Sequence, residues 1–337
     1  MRQGIDPSAV KKATKAGNSK DSFETVAREW HEKHTKVEWS QSHSKNIMAR
    51  LEKHIFPWIG NLSVDEITAI DILDVLRRIE DRGHLETLHR TLANCSSVFI
   101  HAIATQRATN DPCNRLSEAF PKPIKRHFSA ILEPEKVGQL LRNFDNYEGE
   151  FVVKCALRLA PLVFLRSIDL RLAEWQEIDL ESGEWRIPIR RMKRTRRDKE
   201  AFPNEIHLVP LSQQSIDILC ELHPLTGHEK LVFPGPRTRI RAISDMTLTA
   251  AVRRMGYSSD DLHVHGFRAM ARTMIHEQLK VKPEVIERQM SHATDTPLCK
   301  ACDRTSFIPE RKAMMQQWAD YLDTLKFESI PVAVSYT

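Results

Sequence analysis

The chain has 337 residues, of which 41% are hydrophobic, and a formal net charge of +5. That is enough apolar material for true cores, which excludes a disordered chain, and the length suggests two domains. No apolar run approaches the roughly 18 residues of a membrane span, and residues 1–20 are polar and basic, without the apolar stretch of a secretory signal.

The first structured segment opens at Asp21, which is placed to cap a helix with Glu24 three residues on. Phe23, Val26 and Trp30 follow at helical spacing. A second helix is expected from Ser40 to about His54, with Ile47 and Leu51 on one face and Pro57 and Gly60 ending the unit. A third starts at Thr68, buries Ile72, Val75 or Leu76, and Ile79, and stops near Gly83. The fourth is long, with Leu88, Leu92, Cys95, Phe99 and Ile103 on one stripe and Asp111-Pro112 closing it. Four helices in about 90 residues make a compact all-α domain.

Pro121 and Pro123, with the basic Lys122, Lys125 and Arg126, read as a linker between domains. Pro134 then starts a helix at its favoured first position, with Val137, Leu140, Leu141 and Phe144 inward, and another apolar helix runs over 151–162. Here the period changes. Residues 175–180 and 185–189 read as strands around the turn 181–184, and 206–211 as a third strand. Ser212 caps the next helix. From Ser244 onward the pattern is helical, over 244–255, 266–279, 283–290, 297–305 and 309–326. Domain boundaries follow at 22–121, a linker at 122–128, and 129–326, with a basic linker at 1–21 and a tail at 327–337.

The six cysteines show no framework of spacings, and five fall in stretches that read as helix, so reduced cytoplasmic thiols are expected. Cys299 and Cys302 form one C-x-x-C, without the second pair or close histidines of a zinc set.

The charge is unevenly placed. Between Arg186 and Lys199 stand eight basic residues (Arg186, Arg190, Arg191, Lys193, Arg194, Arg196, Arg197 and Lys199) against one acid, Asp198. Such a run is either a solvated loop or a phosphate-binding element. It lies between the second and third strands, at an expected hairpin tip. Four further residues become notable together with Lys193: Arg166 after an apolar helix, His265 and Arg268 three apart at the start of another, and His292.

The order arginine, hairpin lysine, H-x-x-R, histidine resembles the tyrosine recombinases, the phage integrase family, and within it the prophage integrases of the phage P4 type. The stretches APLVFLRSIDLRLAEWQEIDL around Arg166, RMKR followed by IHLVPLS, HGFRAMA, IERQMSH and IPERKAMMQQWADYL carry the likeness in the second half. FETVAREWHEKH, FPWIG and HAIATQRATNDP carry it in the first. The resemblance covers residues 22–326 and implies a mostly α fold with a small antiparallel β-sheet: a helical core-binding domain and a catalytic domain closing as a clamp on double-stranded DNA.

By the same resemblance, Arg166 and Arg268 hold the non-bridging oxygens of a scissile phosphate through paired, charge-assisted hydrogen bonds. Asp169 orients Arg166, where the family usually has glutamate. Lys193 protonates the departing 5′ oxygen, His265 assists proton transfer at the nucleophile, and His292 bonds a non-bridging oxygen. Arg190, Arg191, Arg194, Arg196, Arg197, Lys122, Lys125 and Arg126 are the expected backbone contacts. No metal or other cofactor is implied, since the arginines supply the positive charge. A homo-tetramer on DNA attachment sites is implied, with an excisionase or a host DNA-bending protein as further partners and the nucleoid in a bacterial cytoplasm as location.

The sequence departs from the family in three places. Cys302 stands in Ala-Cys-Asp-Arg where the family has its nucleophilic tyrosine. A thiol ionises more easily than a phenol, but its sulfur ends roughly 3–4 Å short of the tyrosine oxygen. Two outcomes stay open: a recombinase that cuts through Cys302, or a cleavage-defective DNA-binding remnant. Ser167-Ile168-Asp169 replaces the common Pro-Gly-Glu. Residues 1–17 resemble the end of an arm-binding domain and its linker, which leads to the expectation that this domain is missing.

Overall fold

A computed structural model describes residues 20–123, 129–192, 196–291 and 306–327. The chain divides into two compact units, residues 1–126 with 194–201, and residues 127–193 with 202–337. Each has its own core: Phe23 to Phe120 in the first, Ile131 to Leu325 in the second.

The first unit is all helix: α1 (Phe23–Val37), α2 (Gln41–His54), the single turn α3 (Phe56–Ile59), α4 (Ala69–Glu80) and α5 (Leu85–Ala104). Its helix starts follow from short polar side chains that satisfy free N–H groups. Ser40 caps α2, and Thr68 with Asp71 forms a full capping box on α4. At α1 the cap is Ser22, not the expected Asp21; Glu24 instead pairs with Arg28 at 2.7 Å. The buried stripe of α5 runs Leu88, Leu92, Cys95, Phe99 and then Ala102. Ile103, expected on that stripe, is 37% exposed because the helical phase has carried it round to the surface.

In the second unit, α6 (Pro134–Asp145) and α7 (Phe151–Val163) precede the single turn α8 (Ser167–Arg171). A three-stranded antiparallel sheet follows in the order β1 (Ile178–Asp179), β2 (Glu184–Pro188), β3 (Ile206–Pro210). Trp185 stands opposite Ile178 on one side and Val209 on the other. The first strand is shorter than expected: Trp175–Glu177 is a 3-10 turn, since the Trp175 N–H is drawn to the Lys230 carbonyl at 3.1 Å. Between β2 and β3 in sequence stands a short helix, α9 (Arg196–Ala201), where only a hairpin tip was expected; it groups with the first unit. The remaining helices are α10 (Gln213–Thr226), α11 (Asp245–Arg254), α12 (Gly266–Leu279), α13 (Pro283–Gln289) and α14 (Ile308–Phe327). Their bounds fall within a residue or two of those expected, except the helix expected over 297–305, which lies outside the described residues. The architecture is mostly α with a small antiparallel sheet, as the sequence led one to expect. No helix among the described residues is long and apolar enough to cross a membrane.

Candidate phosphate-binding site

Arg166 is set by the end of one helix and the start of another. α7 stops at Phe164, whose left-handed backbone (φ 36°, ψ 39°) turns the chain out of the helix. Arg166 is extended and stands at the N-cap of α8. Its carbonyl accepts from the Asp169 N–H at 2.9 Å, which brings the Asp169 carboxylate back to 3.8 Å from the guanidinium. Asp169 is 1% exposed and Arg166 is 18% exposed. A carboxylate held this close in a dry setting restrains the direction in which the arginine points.

Arg268 reaches the same place from α12. One terminal nitrogen donates to the Phe164 carbonyl and the other to the Met290 carbonyl, both at 2.9 Å. Phe164 is available because of the left-handed turn. Met290 closes α13, so its carbonyl is among those that a helix end leaves without an intrahelical partner. Burial, and then the charge of Arg166, bring the Arg268 pKa down to about 10. It remains a cation at neutral pH, and its like-charged neighbour makes that costly. Asp169, and then Glu287, act in the opposite sense and hold the Arg268 pKa up, so the two guanidiniums are kept together by carboxylates on the same unit.

His265 is the N-cap of α12 and half-buried. Its carbonyl accepts from the Arg268 N–H at 3.2 Å, and its own N–H donates to His263 Nδ1 at 3.1 Å. Burial, then Arg253, hold the His263 pKa below its usual value. Arg253 organises the approach to this helix by donating to the carbonyls of Tyr257, Ser258 and Leu262. The glycine of His-Gly-Phe-Arg is required, because a Cβ at Gly266 would collide with the Ser129 carbonyl.

Arg191 takes a different place from the one expected. Its side chain, 13% exposed, turns inward, donating to the Asp169 carbonyl at 2.9 Å and to Glu177 at 2.5 Å. Glu177 also accepts from Trp185 Nε1 at 3.1 Å. Burial outweighs mutual attraction on both partners: it raises the Glu177 pKa and lowers that of Arg191. Arg191 is therefore a brace under the Arg166–Asp169 turn and not an outward cation. Its guanidinium found a buried carboxylate that hydropathy patterning does not mark.

Arg190 and Lys122 are exposed. Lys193, Arg194, His292, Cys302, Lys125 and Arg126 lie outside the described residues, and so do the side chains of Arg196 and Arg197 in α9. Of the expected site, the described residues thus bring together Arg166, Asp169, Arg268 and, one helical turn from Arg268, His265.

A basic group in the first unit was not anticipated. The His54 pKa is lowered by burial and then by Lys53, Arg82, Arg50 and His84; that of Arg50 is lowered by burial and then by Arg90. Five other basic side chains therefore crowd around the end of α2 and the start of α5. The signal in the sequence is faint: Arg50, Lys53 and His54 at one helix end and Arg82-Gly83-His84 in a later turn.

Residues 23–119 match the phage integrase central domain, and residues 130–297 match the phage integrase family. The integrase of Enterobacteria phage P4 is 33% identical over 327 residues, covering 95% of this chain and 74% of its own length. A lambda integrase dimer bound to a COC′ core site superposes with a TM-score of 0.63 at 15% identity, over 82% of this chain and 96% of that one. A lambda integrase tetramer bound to a Holliday junction gives 0.63 at 15% identity, over 88% and 84%. At that identity the solved structures establish a shared fold.

Proposed function

Because this chain belongs to the phage integrase family of tyrosine recombinases, we propose that it is a site-specific prophage-type integrase that seats a phosphate of duplex DNA on Arg166 and Arg268. The observation that carries this reading is the convergence of two mutually repelling guanidiniums from positions 102 residues apart, with Asp169 beside them. Arginine pairs of this kind match the non-bridging oxygens of a phosphodiester, whose negative charge grows in the transition state.

In the proposed step, for which a tyrosine at 302 has the reach and the native cysteine falls roughly 3–4 Å short, the side chain at 302 attacks phosphorus and the bond to the 5′ oxygen breaks. That oxygen takes a proton from Lys193, which leaves a 3′-phosphoprotein link. Attack by a 5′-hydroxyl reverses the sequence, so the phosphodiester's energy is conserved and no nucleotide is consumed. His265 and His292 serve proton transfer and oxygen binding. The exposed Arg190 and the basic group of Arg50, Lys53 and Arg82 meet the DNA backbone. The chain acts as a tetramer on paired sites at the bacterial nucleoid, aided by an excisionase or a DNA-bending protein.

The test is affinity for attachment-site duplex. Arg166→Ala is expected to weaken binding roughly 10- to 100-fold, as for the loss of a charged hydrogen bond of about 1.5–3 kcal/mol. Wild-type binding by that variant at moderate salt would remove the phosphate assignment. Log affinity should fall steeply with log salt, and Lys53→Ala or Arg82→Ala should each flatten the slope by about 0.9, one phosphate contact apiece. An unchanged slope in both would place the basic group off the DNA.

A second reading is favoured by one residue. With Cys302 at the nucleophile position, the chain occupies recombination sites without cutting them.

A further inference from the structure

A buried cation at the start of the last helix takes no part in the steps just described. Arg311, in the first turn of α14, is 3% exposed. Its Nε donates to Gln289 Oε1 at 2.8 Å, Nη1 to the Ser306 carbonyl at 3.3 Å, and Nη2 to the Leu208 carbonyl. The acceptors belong to three separate parts of the unit: the last residue of α13, the chain just ahead of α14, and the middle of β3. None of these three is a carboxylate. Burial, and then the charge of Arg288, lower the Arg311 pKa to about 10.

A buried guanidinium held by three neutral acceptors is costly to keep, and an apolar side chain of similar size is usually cheaper to bury. What the planar fork supplies is geometry, since its donors reach several acceptors at fixed angles. Gln289 is 1% exposed, and its main-chain carbonyl accepts from His207 Nε2 of β3 at 3.0 Å. The next residue, Met290, supplies the carbonyl that holds Arg268. The two residues gripped outside β3, at 289 and 306, flank in sequence the stretch that carries His292 and Cys302.

We propose that Arg311 is a positioning residue: it pins residues 289 and 306 against β3, and so sets both ends of the stretch bearing the nucleophile position and, through Met290, the seat of Arg268. The catalytic consequence rests on the recombinase reading; the tie itself does not.

The experiment uses the full chain with Arg311→Met, Arg311→Lys and Gln289→Met, each alone and combined with Cys302→Tyr. Hydrogen exchange is followed by mass spectrometry, together with duplex affinity and the rate of covalent attachment to a nicked duplex. Arg311→Met is expected to speed exchange at 289–291 and 306–308 roughly 10- to 100-fold, with the amides of α6 and α7 nearly unchanged. Arg311→Lys should do the same, because one ammonium cannot span the three acceptors. In the tyrosine background, attachment should slow about 100-fold, as for a misplacement of about 1 Å, while affinity falls far less. Wild-type exchange in those two segments, a rise spread evenly over the unit, or full rescue by lysine would overturn the proposal. If Arg311→Met does not fold, Gln289→Met, which removes one acceptor and keeps the cation, is judged by the same exchange criterion at 289–291. If Cys302→Tyr with Arg311 intact gives no attachment, the recombinase reading fails, and the exchange data still decide the tie.

Discussion

Cys302→Tyr is expected to become covalently joined to the 3′ phosphate of a nicked attachment-site duplex, where the native chain stays unlinked. The reason is reach. In-line attack requires the nucleophilic atom within about 3–3.5 Å of phosphorus, and a cysteine sulfur ends roughly 3–4 Å closer to its own Cα than a phenolic oxygen does. The easier ionisation of the thiol, about 8.5 against 10, does not bridge that gap. The measurement is a denaturing gel of protein incubated with a nicked substrate that traps the 3′-phosphoprotein. The native chain should give at most a trace, a deficit of several orders of magnitude, and the tyrosine variant a clear band. A strong native band that disappears in Cys302→Ala would show that the cysteine cuts, and would retire the binding-only reading.

The second large effect concerns stability. Arg191→Met is expected to destabilise the second unit by about 3–5 kcal/mol, because it strands a buried carboxylate at Glu177. Glu177→Gln should cost less, since a neutral amide still accepts from Trp185 and avoids the desolvation that already raises the Glu177 pKa. The double variant Arg191→Met, Glu177→Met should come back close to the native stability.

The sign with pH follows from the direction of the shift. A carboxyl whose pKa is raised on folding contributes stability that is fully present below its unfolded pKa and is lost as pH rises through the folded one. Without Arg191 the Glu177 pKa climbs further, so the penalty of Arg191→Met should be full at pH 7 and shrink as pH falls toward the usual carboxylate range. Denaturant melts at pH 5 and pH 7 read this directly. A penalty independent of pH, or a double variant as unstable as the single one, would mean that Arg191 acts through the Asp169 carbonyl alone.

Much of the fold was legible because it is local. Ser40, Thr68 and Ser212 announce helix starts through their own oxygens. Pro134 and Pro283 are found in the first turn of α6 and α13. The strands at Glu184–Pro188 and Ile206–Pro210 were legible from their period, whereas the 3-10 turn Ile189–Arg191 and α9 between them were not. The misplacements are local too, but depend on partners far along the chain. Trp175 leaves the expected strand for the Lys230 carbonyl, and Arg191 leaves the expected DNA-facing set for Glu177. The pairing of Arg166 with Arg268 could be expected from motif order, while the carbonyls of Phe164 and Met290 that seat Arg268 could not.

By itself, then, the sequence determined which segments are helix or strand, and which side chains are able to bind a phosphate, because capping, periodicity and charge are properties of a residue and its near neighbours. Only the tertiary structure decided which cations face inward. Among the basic residues of the second unit, Arg191, Arg268 and Arg311 are buried or nearly so on carbonyl and carboxylate partners, and Arg190 is exposed. The free energy of a charge is set by the water it loses and the acceptors it gains, and those come from positions that no local pattern connects.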